Sequence, residues 1–271
     1  MYWKCADKKI EYGNRTLIMG IVNVTPDSFS DGGSFFDPAA AVEHALLLEA
    51  QGADIIDFGA QSTRPGYAEI SAEEEWARLA PVLAEFRKRS QIPVSVDTYY
   101  PEVAQKSLEA GADIINDVSG RVNPETAKIV KNSRSGWILM YNGAGDFKET
   151  GKFFSSAILE AEALGVPKEQ ICLDMGIGFG KTRQQDLSLI ANIADYKIEG
   201  VPLLLGTSRK RVIGEYSRQP DAKKRIYGNI AADTAAILGG ADIIRLHDVE
   251  NEIQGIRMAD AIKKLNCASH S

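Results

Sequence analysis

Eight short apolar runs, each closing on a polar residue, constrain this chain more than any other feature. They lie at Leu17–Val24, Ala53–Phe58, Ile92–Val96, Ala112–Asn116, Trp137–Tyr141, Gln170–Asp174, Pro202–Gly206 and Asp242–Leu246. A strand with one wet face alternates apolar and polar residues. A run that is apolar throughout suits a strand covered on both faces, as in a parallel sheet flanked by helices. Stretches with helical spacing separate the runs, notably Pro38–Glu49 and Glu73–Lys88, while Ala231–Leu238 is small and apolar throughout. Pro38 and Pro101 stand where first-turn prolines belong. Eight such units in 271 residues predict an α/β fold, a single (β/α)8 TIM barrel occupying residues 1–271 as one domain. A doubly wound sheet is the alternative. Residues 3–12 alternate loosely and predict a short N-terminal β-hairpin under the barrel.

A partial repeat supports the count of units. Gly52-Ala53-Asp54-Ile55-Ile56-Asp57 recurs at Gly111–Asn116 and at Gly240–Arg245 with the same first five residues. In each copy the glycine would cap a helix and the isoleucine pair would enter the sheet. The last residue alone changes, from Asp to Asn to Arg, and this variable position marks the functional end of the strand.

Charge and cysteine content narrow the partners. Thirty-one Lys and Arg against 37 Asp and Glu leave a net charge of −6, which argues against nucleic acid or an anionic membrane as partner. A small anionic substrate remains compatible, because a few basic side chains can converge locally. Cys5, Cys172 and Cys267 are far apart, have no metal-ligand spacing and read as free thiols of a reducing compartment. The first residues contain no apolar leader core, so a cytoplasmic protein is expected.

Barrel enzymes work at the C-terminal ends of their strands. Read in order, those ends are Asn23, Asp57, Asp97, Asn116 with Asp117, Tyr141 with Asn142, Asp174, Thr207-Ser208-Arg209-Lys210, and Arg245 with His247. One polar ending is an ordinary loop, but a full ring of them calls for a polar ligand. Asp97, Asp174 and Asn116 accept N–H pairs and suit the edge of a planar heterocycle. Arg245, His247 and Asn23 fall on strands that become neighbours when the barrel closes. They read as a phosphate site, with the Asn23 amide oxygen available to a divalent cation. Lys210 opens a helix, where an anion is favoured. The ligand class is therefore a phosphorylated heterocycle.

Other features carry plainer readings. Gly176–Thr182 fails the phosphate-loop pattern at Met175 and the dinucleotide pattern at Lys181. Asp57 reads equally as a buried structural carboxylate, and Asp117 as a loop cap. His44, Arg87–Arg89 and Lys223-Lys224 read as solvated helix faces.

Seven segments together resemble the dihydropteroate synthase family: Met19–Gly33, Ser62–Gly66, Ser95–Thr98, Ile115–Gly120, Gly176–Thr182, Gly206–Lys210 and Arg245–Val249. The resemblance implies a transferase joining 6-hydroxymethyl-7,8-dihydropterin diphosphate to p-aminobenzoate, with Mg²⁺ as cofactor and a homodimer as assembly. It implies catalytic roles for Asp31, Arg64, Asp97, Asp174 and Lys210. Pterin would be held by Asp97, Asn116, Asp174 and Lys210, and diphosphate by Asn23, Thr63, Arg64, Arg245 and His247. The aminobenzoate pocket would comprise Phe29, Thr63, Pro65, Phe179, Lys210 and Arg211, with Asn23 as metal ligand. Thr25–Gly33 and Gln61–Gly66 would be mobile loops. Three stretches depart from the family pattern: Tyr141 in place of His, Met175 in place of Pro, and Gly59-Ala60-Gln61 in place of Gly-Gly-Glu. The segment 142–169 is also shorter than the family's. Loss of the proline implies a less rigidly aimed Asp174. Two other readings compete with the synthase, a pterin-binding protein without turnover and a methyltetrahydrofolate-dependent methyltransferase domain.

Overall fold

The apolar runs become the staves of a closed barrel. The computed structural model describes residues 1–25, 37–61, 69–144 and 147–268. The chain begins with β1 (Tyr2–Cys5) and β2 (Lys8–Glu11), then β3 (Leu17–Asn23), α1 (Pro38–Gln51), β4 (Ile55–Gly59), α2 (Ala72–Arg89), β5 (Val94–Asp97) and α3 (Pro101–Glu109). It continues through β6 (Ile114–Asp117), α4 (Pro124–Ser133), β7 (Gly136–Met140), α5 (Phe147–Ala163), β8 (Ile171–Asp174) and α6 (Arg183–Ala191). It ends with β9 (Leu203–Leu205), α7 (Arg211–Tyr216), α8 (Ile226–Leu238), β10 (Ile243–Leu246) and α9 (Val249–Ala268). Strands β3 to β10 pair in sequence order and β10 closes against β3, so the doubly wound alternative falls away. The chain is thus a (β/α)8 barrel with an antiparallel two-stranded hairpin ahead of it. Among the described residues no helix is long and apolar enough to cross a membrane.

The repeated Gly-Ala-Asp joint has a fuller physical cause than the sequence suggested. Gly52, Gly111 and Gly240 all turn with positive φ, at 108°, 100° and 106°, which a side chain would oppose. The aspartate then reaches sideways to the preceding strand. Asp54 accepts from the Ile18 amide, Asp113 from the Val94 amide and Asp242 from the Leu203 amide, each at 2.9 Å. Each carboxylate is also paired with a basic side chain: Arg15, Arg87 with Lys8, and Lys197 respectively. The repeat is therefore a device for capping the lower rim of the sheet. Arg87, expected on a solvated face, is instead partly buried, because it also donates to the carbonyls of Gly111 and Ile92.

The hairpin plugs the barrel from below. Trp3, Cys5, Ile10 and Tyr12 pack against the inward side chains Leu17, Met19, Ile55, Ile114, Ile138, Cys172, Leu204 and Ile243. Gly136 makes room for this plug, since a Cβ there would lie 2.7 Å from the Cys5 Sγ and 2.9 Å from the Trp3 ring. Burial pushes the Cys5 and Cys172 thiols well above their ordinary range, with Asp113 and Asp174 respectively adding to the effect. Both are free, and neither is a reactive thiolate. Trp3 Nε1 donates to the Gln170 carbonyl at 2.8 Å, tying the plug to the foot of β8. Trp3→Phe keeps most of the apolar bulk but strands that carbonyl. We expect it to lower unfolding free energy by about 1–2 kcal/mol in urea titration with the slope unchanged. An unshifted midpoint would show that the hydrogen bond contributes nothing.

Candidate active site

Alternation along the strands turns the barrel interior from apolar at the bottom to polar at the top. One step of two residues separates Ile55 from Asp57, Ser95 from Asp97, Ile114 from Asn116, Cys172 from Asp174, and Ile243 from Arg245. Four of the lower members, Ile55, Ile114, Cys172 and Ile243, belong to the plugged core, Ser95 is buried beside them, and the upper members form the mouth.

Arg245 is the centre of that ring. Its Nε donates to Asp57 Oδ2 at 2.6 Å and its terminal nitrogen to Asp97 Oδ2 at 2.8 Å. Asn116 Nδ2 reaches the same Asp57 oxygen at 3.3 Å. Burial opposes the charge on Arg245, but Asp57 and Asp97 outweigh it and raise its pKa. Burial also pushes Asp97 up to about 7, with Arg245 opposing and Asp57, Glu75 and Asp174 adding to the rise. Asp57 Oδ1 and Asn116 Oδ1 are buried without a hydrogen-bond partner among the described residues. Unpaired buried acceptors are costly, so these two are poised for donors from a ligand. Asp57, which the sequence left between two roles, therefore belongs to the site. Asp117 does not. Its carboxylate is taken up by the Ser119 amide in its own loop and by Trp137 Nε1 on β7.

Two strands along the barrel from Arg245, the turn after β8 supplies a second wall. Asp174 Oδ1 accepts from the Gly176 amide at 2.9 Å. Burial raises the Asp174 pKa, and Lys210 opposes that rise. Tyr141 N–H donates to the Asp174 carbonyl at 3.0 Å, and Met175 N–H donates to the Leu204 carbonyl at 3.3 Å. Proline at 175 could not make the latter bond. Asp174 is accordingly held from both sides, contrary to the looser aim expected from Met175. Gly176 adopts φ +61°, and a Cβ there would lie 1.9 Å from the Tyr141 carbonyl oxygen.

Lys181, which the sequence showed as a break in a nucleotide motif and as part of a family segment, pins this turn. Its ammonium donates to the carbonyls of Tyr141, Gly176 and Phe179 at 3.0, 2.9 and 3.1 Å, and it lies 4.5 Å over the Tyr141 ring. Burial lowers its pKa to about 8. No sequence signal separates such a lysine from a solvated one.

Lys210 caps α7, as expected. Its ammonium donates to the Ile177 carbonyl and lies 4.9 Å from the centre of the Phe179 ring. Burial lowers its pKa to about 8, with Asp174 opposing. His247 receives support from Ser208, whose Oγ lies 3.0 Å from Nδ1 and accepts from the His247 amide at 3.2 Å. Asn23 ends β3, the strand paired with β10, so it stands on the same side of the mouth as Arg245 and His247. Arg211 is exposed at the start of α7, outside this ring. His44 is half-buried against the charge of Arg209 rather than solvated, and burial with that charge lowers its pKa. Asp31, Phe29, Thr63, Arg64 and Pro65, with most of the two expected mobile loops, lie outside the described residues.

A closed (β/α)8 barrel whose mouth gathers Asp57, Asp97, Asn116, Asp174, Lys210 and Arg245 has the acceptors for a donor-rich heterocycle edge and the cations for an anionic tail. A sequence model of pterin binding enzymes matches residues 19–247, and the chain belongs to that family. Its relatives narrow the assignment. It is 43% identical over 265 residues to the dihydropteroate synthase of a Synechocystis strain, covering 93% of this chain and 92% of that one. The solved dihydropteroate synthase of Xanthomonas albilineans, with 4-aminobenzoic acid, superposes with a TM-score of 0.90 at 37% identity, covering 97% and 98% of the two chains. The Yersinia pestis dihydropteroate synthase, in complex with a sulfonamide drug, gives 0.88 at 32% identity and covers 98% and 100%. Within the pterin-binding enzymes this chain is a member of the dihydropteroate synthases, which are transferases.

Proposed function

We propose that the chain condenses 6-hydroxymethyl-7,8-dihydropterin diphosphate with p-aminobenzoate, releasing diphosphate. The observation that carries the reading is the convergence of Asp57, Asp97, Asn116 and Asp174 on the mouth of the barrel, facing Lys210 and Arg245. Asp97, Asn116 and Asp174 present oxygens to the N–H edge of the pterin, and Lys210 presents a cation to its carbonyl side. The ring is thereby oriented with its methylene toward the rim. As the C–O bond to diphosphate breaks, positive charge develops on that methylene. The negative field of Asp97 and Asp174 stabilises it, and Arg245 and His247 hold the departing anion. The arylamine nitrogen attacks and loses its proton after the C–N bond forms, so no strong base is required. Positioning and electrostatics supply most of the rate. Asp31 and Arg64 complete this assignment over the reacting centre, with Phe29, Thr63, Pro65, Phe179 and Arg211 around the arylamine.

Mg²⁺ fits the donor set. Among the described residues no group of three or more His, Cys, Asp or Glu side chains is arranged as a metal cage. The Asn23 amide oxygen beside the Arg245 and His247 strand suits a cation held chiefly by substrate phosphate oxygens and water. When bound, such an ion would neutralise charge on the leaving diphosphate. We further propose a homodimer, a reading that rests on the family, and a cytoplasmic location, which the free thiols of Cys5 and Cys172 support.

The test is a two-substrate assay with purified protein and Mg²⁺. Diphosphate release should require both the pterin diphosphate and p-aminobenzoate, and a sulfonamide should inhibit it competitively with the arylamine. No release under those conditions would sink the reading.

A further inference from the structure

Behind the wall that carries Lys210 and His247, two carboxylates face each other where α8 meets α9. Asp233 and Glu252 are each 1% exposed. Asp233 Oδ1 accepts from the Thr207 hydroxyl at 2.7 Å. Asp233 Oδ2, both Glu252 oxygens and the neighbouring buried acceptor Asn229 Oδ1 have no partner among the described residues when both acids are ionised. Two bare carboxylates in contact inside a helix interface would repel strongly, whereas one proton between them makes a charge-assisted hydrogen bond.

The pair stands at a junction. Thr207 begins the turn after β9, and its carbonyl accepts from the Lys210 amide at 3.0 Å. The next residue, Ser208, holds His247. Arg209 then takes the left-handed conformation at φ +61°, a strained state that persists only where its surroundings impose it. Glu252 lies in the first turn of α9, and its amide donates to the Asp248 carbonyl at 3.2 Å, one residue past His247. Thus α8, through Asp233, links the two turns that present Lys210 and His247.

We propose that Asp233 and Glu252 share one proton and act through Thr207 as positioning residues for Lys210 and His247. Burial raises both carboxyls, and the Thr207 hydroxyl donating to Asp233 Oδ1 favours the ionised form there, so Glu252 carries the proton and Asp233 accepts it. Among the surrounding charges, Asp248 favours this state and Arg209 opposes it, while His44 on α1 faces Arg209. As to sign, a carboxyl raised in the folded state contributes stability that is complete below its unfolded value. That contribution is lost as pH rises through about 9.

The role assigned to the pair rests on the synthase reading, so the experiment separates the two. Thermal midpoints are followed from pH 6 to 10. Binding of the pterin diphosphate is measured by calorimetry, and the KM for p-aminobenzoate by turnover. Glu252→Gln, which keeps a neutral donor, should bind the pterin diphosphate like the parent at neutral pH and should flatten the alkaline fall of the midpoint. Thr207→Val should weaken pterin diphosphate binding about tenfold with the arylamine KM within about twofold, and Thr207→Ser should restore binding. Parallel pH curves for Glu252→Gln and the parent would overturn the shared proton. Parent-like binding by a folded Thr207→Val would overturn the positioning role. Absence of turnover in the parent chain would remove the synthase reading alone, because the midpoint and calorimetric results still decide the pair.

Discussion

Arg245→Leu should cost about 3–5 kcal/mol of folding stability near pH 8 and reduce turnover by more than about 100-fold. The arginine side chain is only 18% exposed and binds two carboxylates at once. Leucine fills part of the space but leaves Asp57 and Asp97 facing each other without a cation. The penalty of breaking a buried pair lies mainly in the uncompensated charge that remains. It should therefore depend on pH in a defined direction. Asp97 already titrates at about 7 with Arg245 opposing the rise, and without that opposition its folded-state value moves further up. A raised carboxyl costs nothing while it is protonated in both states. The cost then grows as pH climbs above the unfolded value toward the folded one. Urea titrations at pH 5.5 and pH 8 should show the variant much closer to the parent at the lower pH. Arg245→Lys should fall between them, since one ammonium cannot span two carboxylates as a guanidinium does. Equal losses at both pH values would remove the two-carboxylate bridge as the source of the effect.

That bridge also shows where sequence reading stops. The eight strands were legible because burial on both faces writes a continuous apolar run, and each run ends within two residues of the strand it predicts. The candidate ring was legible because the barrel puts every strand's last residues in one place. Asp57 was ambiguous for a physical reason. Its significance depends on Arg245, 188 residues away, and no local pattern records that partner. The role of Lys181 was hidden for the same reason, since its three acceptors are carbonyls of a turn whose shape follows from Gly176 at positive φ. Asp233 and Glu252 lie in helices whose spacing looks ordinary, and only the packing of α8 on α9 brings them together. Departures from a family pattern mislead similarly when read alone. Met175 suggested a looser Asp174, yet its amide extends the β8–β9 ladder in a way proline would forbid.

Lys210→Met should show the opposite balance from Arg245→Leu: turnover lost about 100- to 1,000-fold, with folding stability unchanged or raised by about 1 kcal/mol. The ammonium sits between the Ile177 carbonyl and the face of Phe179, and burial holds its pKa at about 8 despite Asp174 nearby. A lysine depressed in the folded state is held there at a cost while charged. That cost is present below about pH 8 and disappears as pH rises toward the unfolded value. Methionine keeps the apolar stem and removes the charge, so the fold should be relieved of it at neutral pH. Catalysis should not, because the proposed pterin site loses its cation. The pH profile gives the sharper signature. In the parent, kcat/KM should fall below about 7 as Asp97 takes up a proton and above about 8 as Lys210 loses one. The variant should keep the acidic limb and lose the alkaline one within its residual activity. An unchanged alkaline limb would assign it to another group, the buried Lys181 being next in line with a pKa of about 8. A stable variant with parent kinetics would remove Lys210 from the site altogether. Stability and turnover moving in opposite directions would identify Lys210 as a residue held for its chemistry, at the fold's expense.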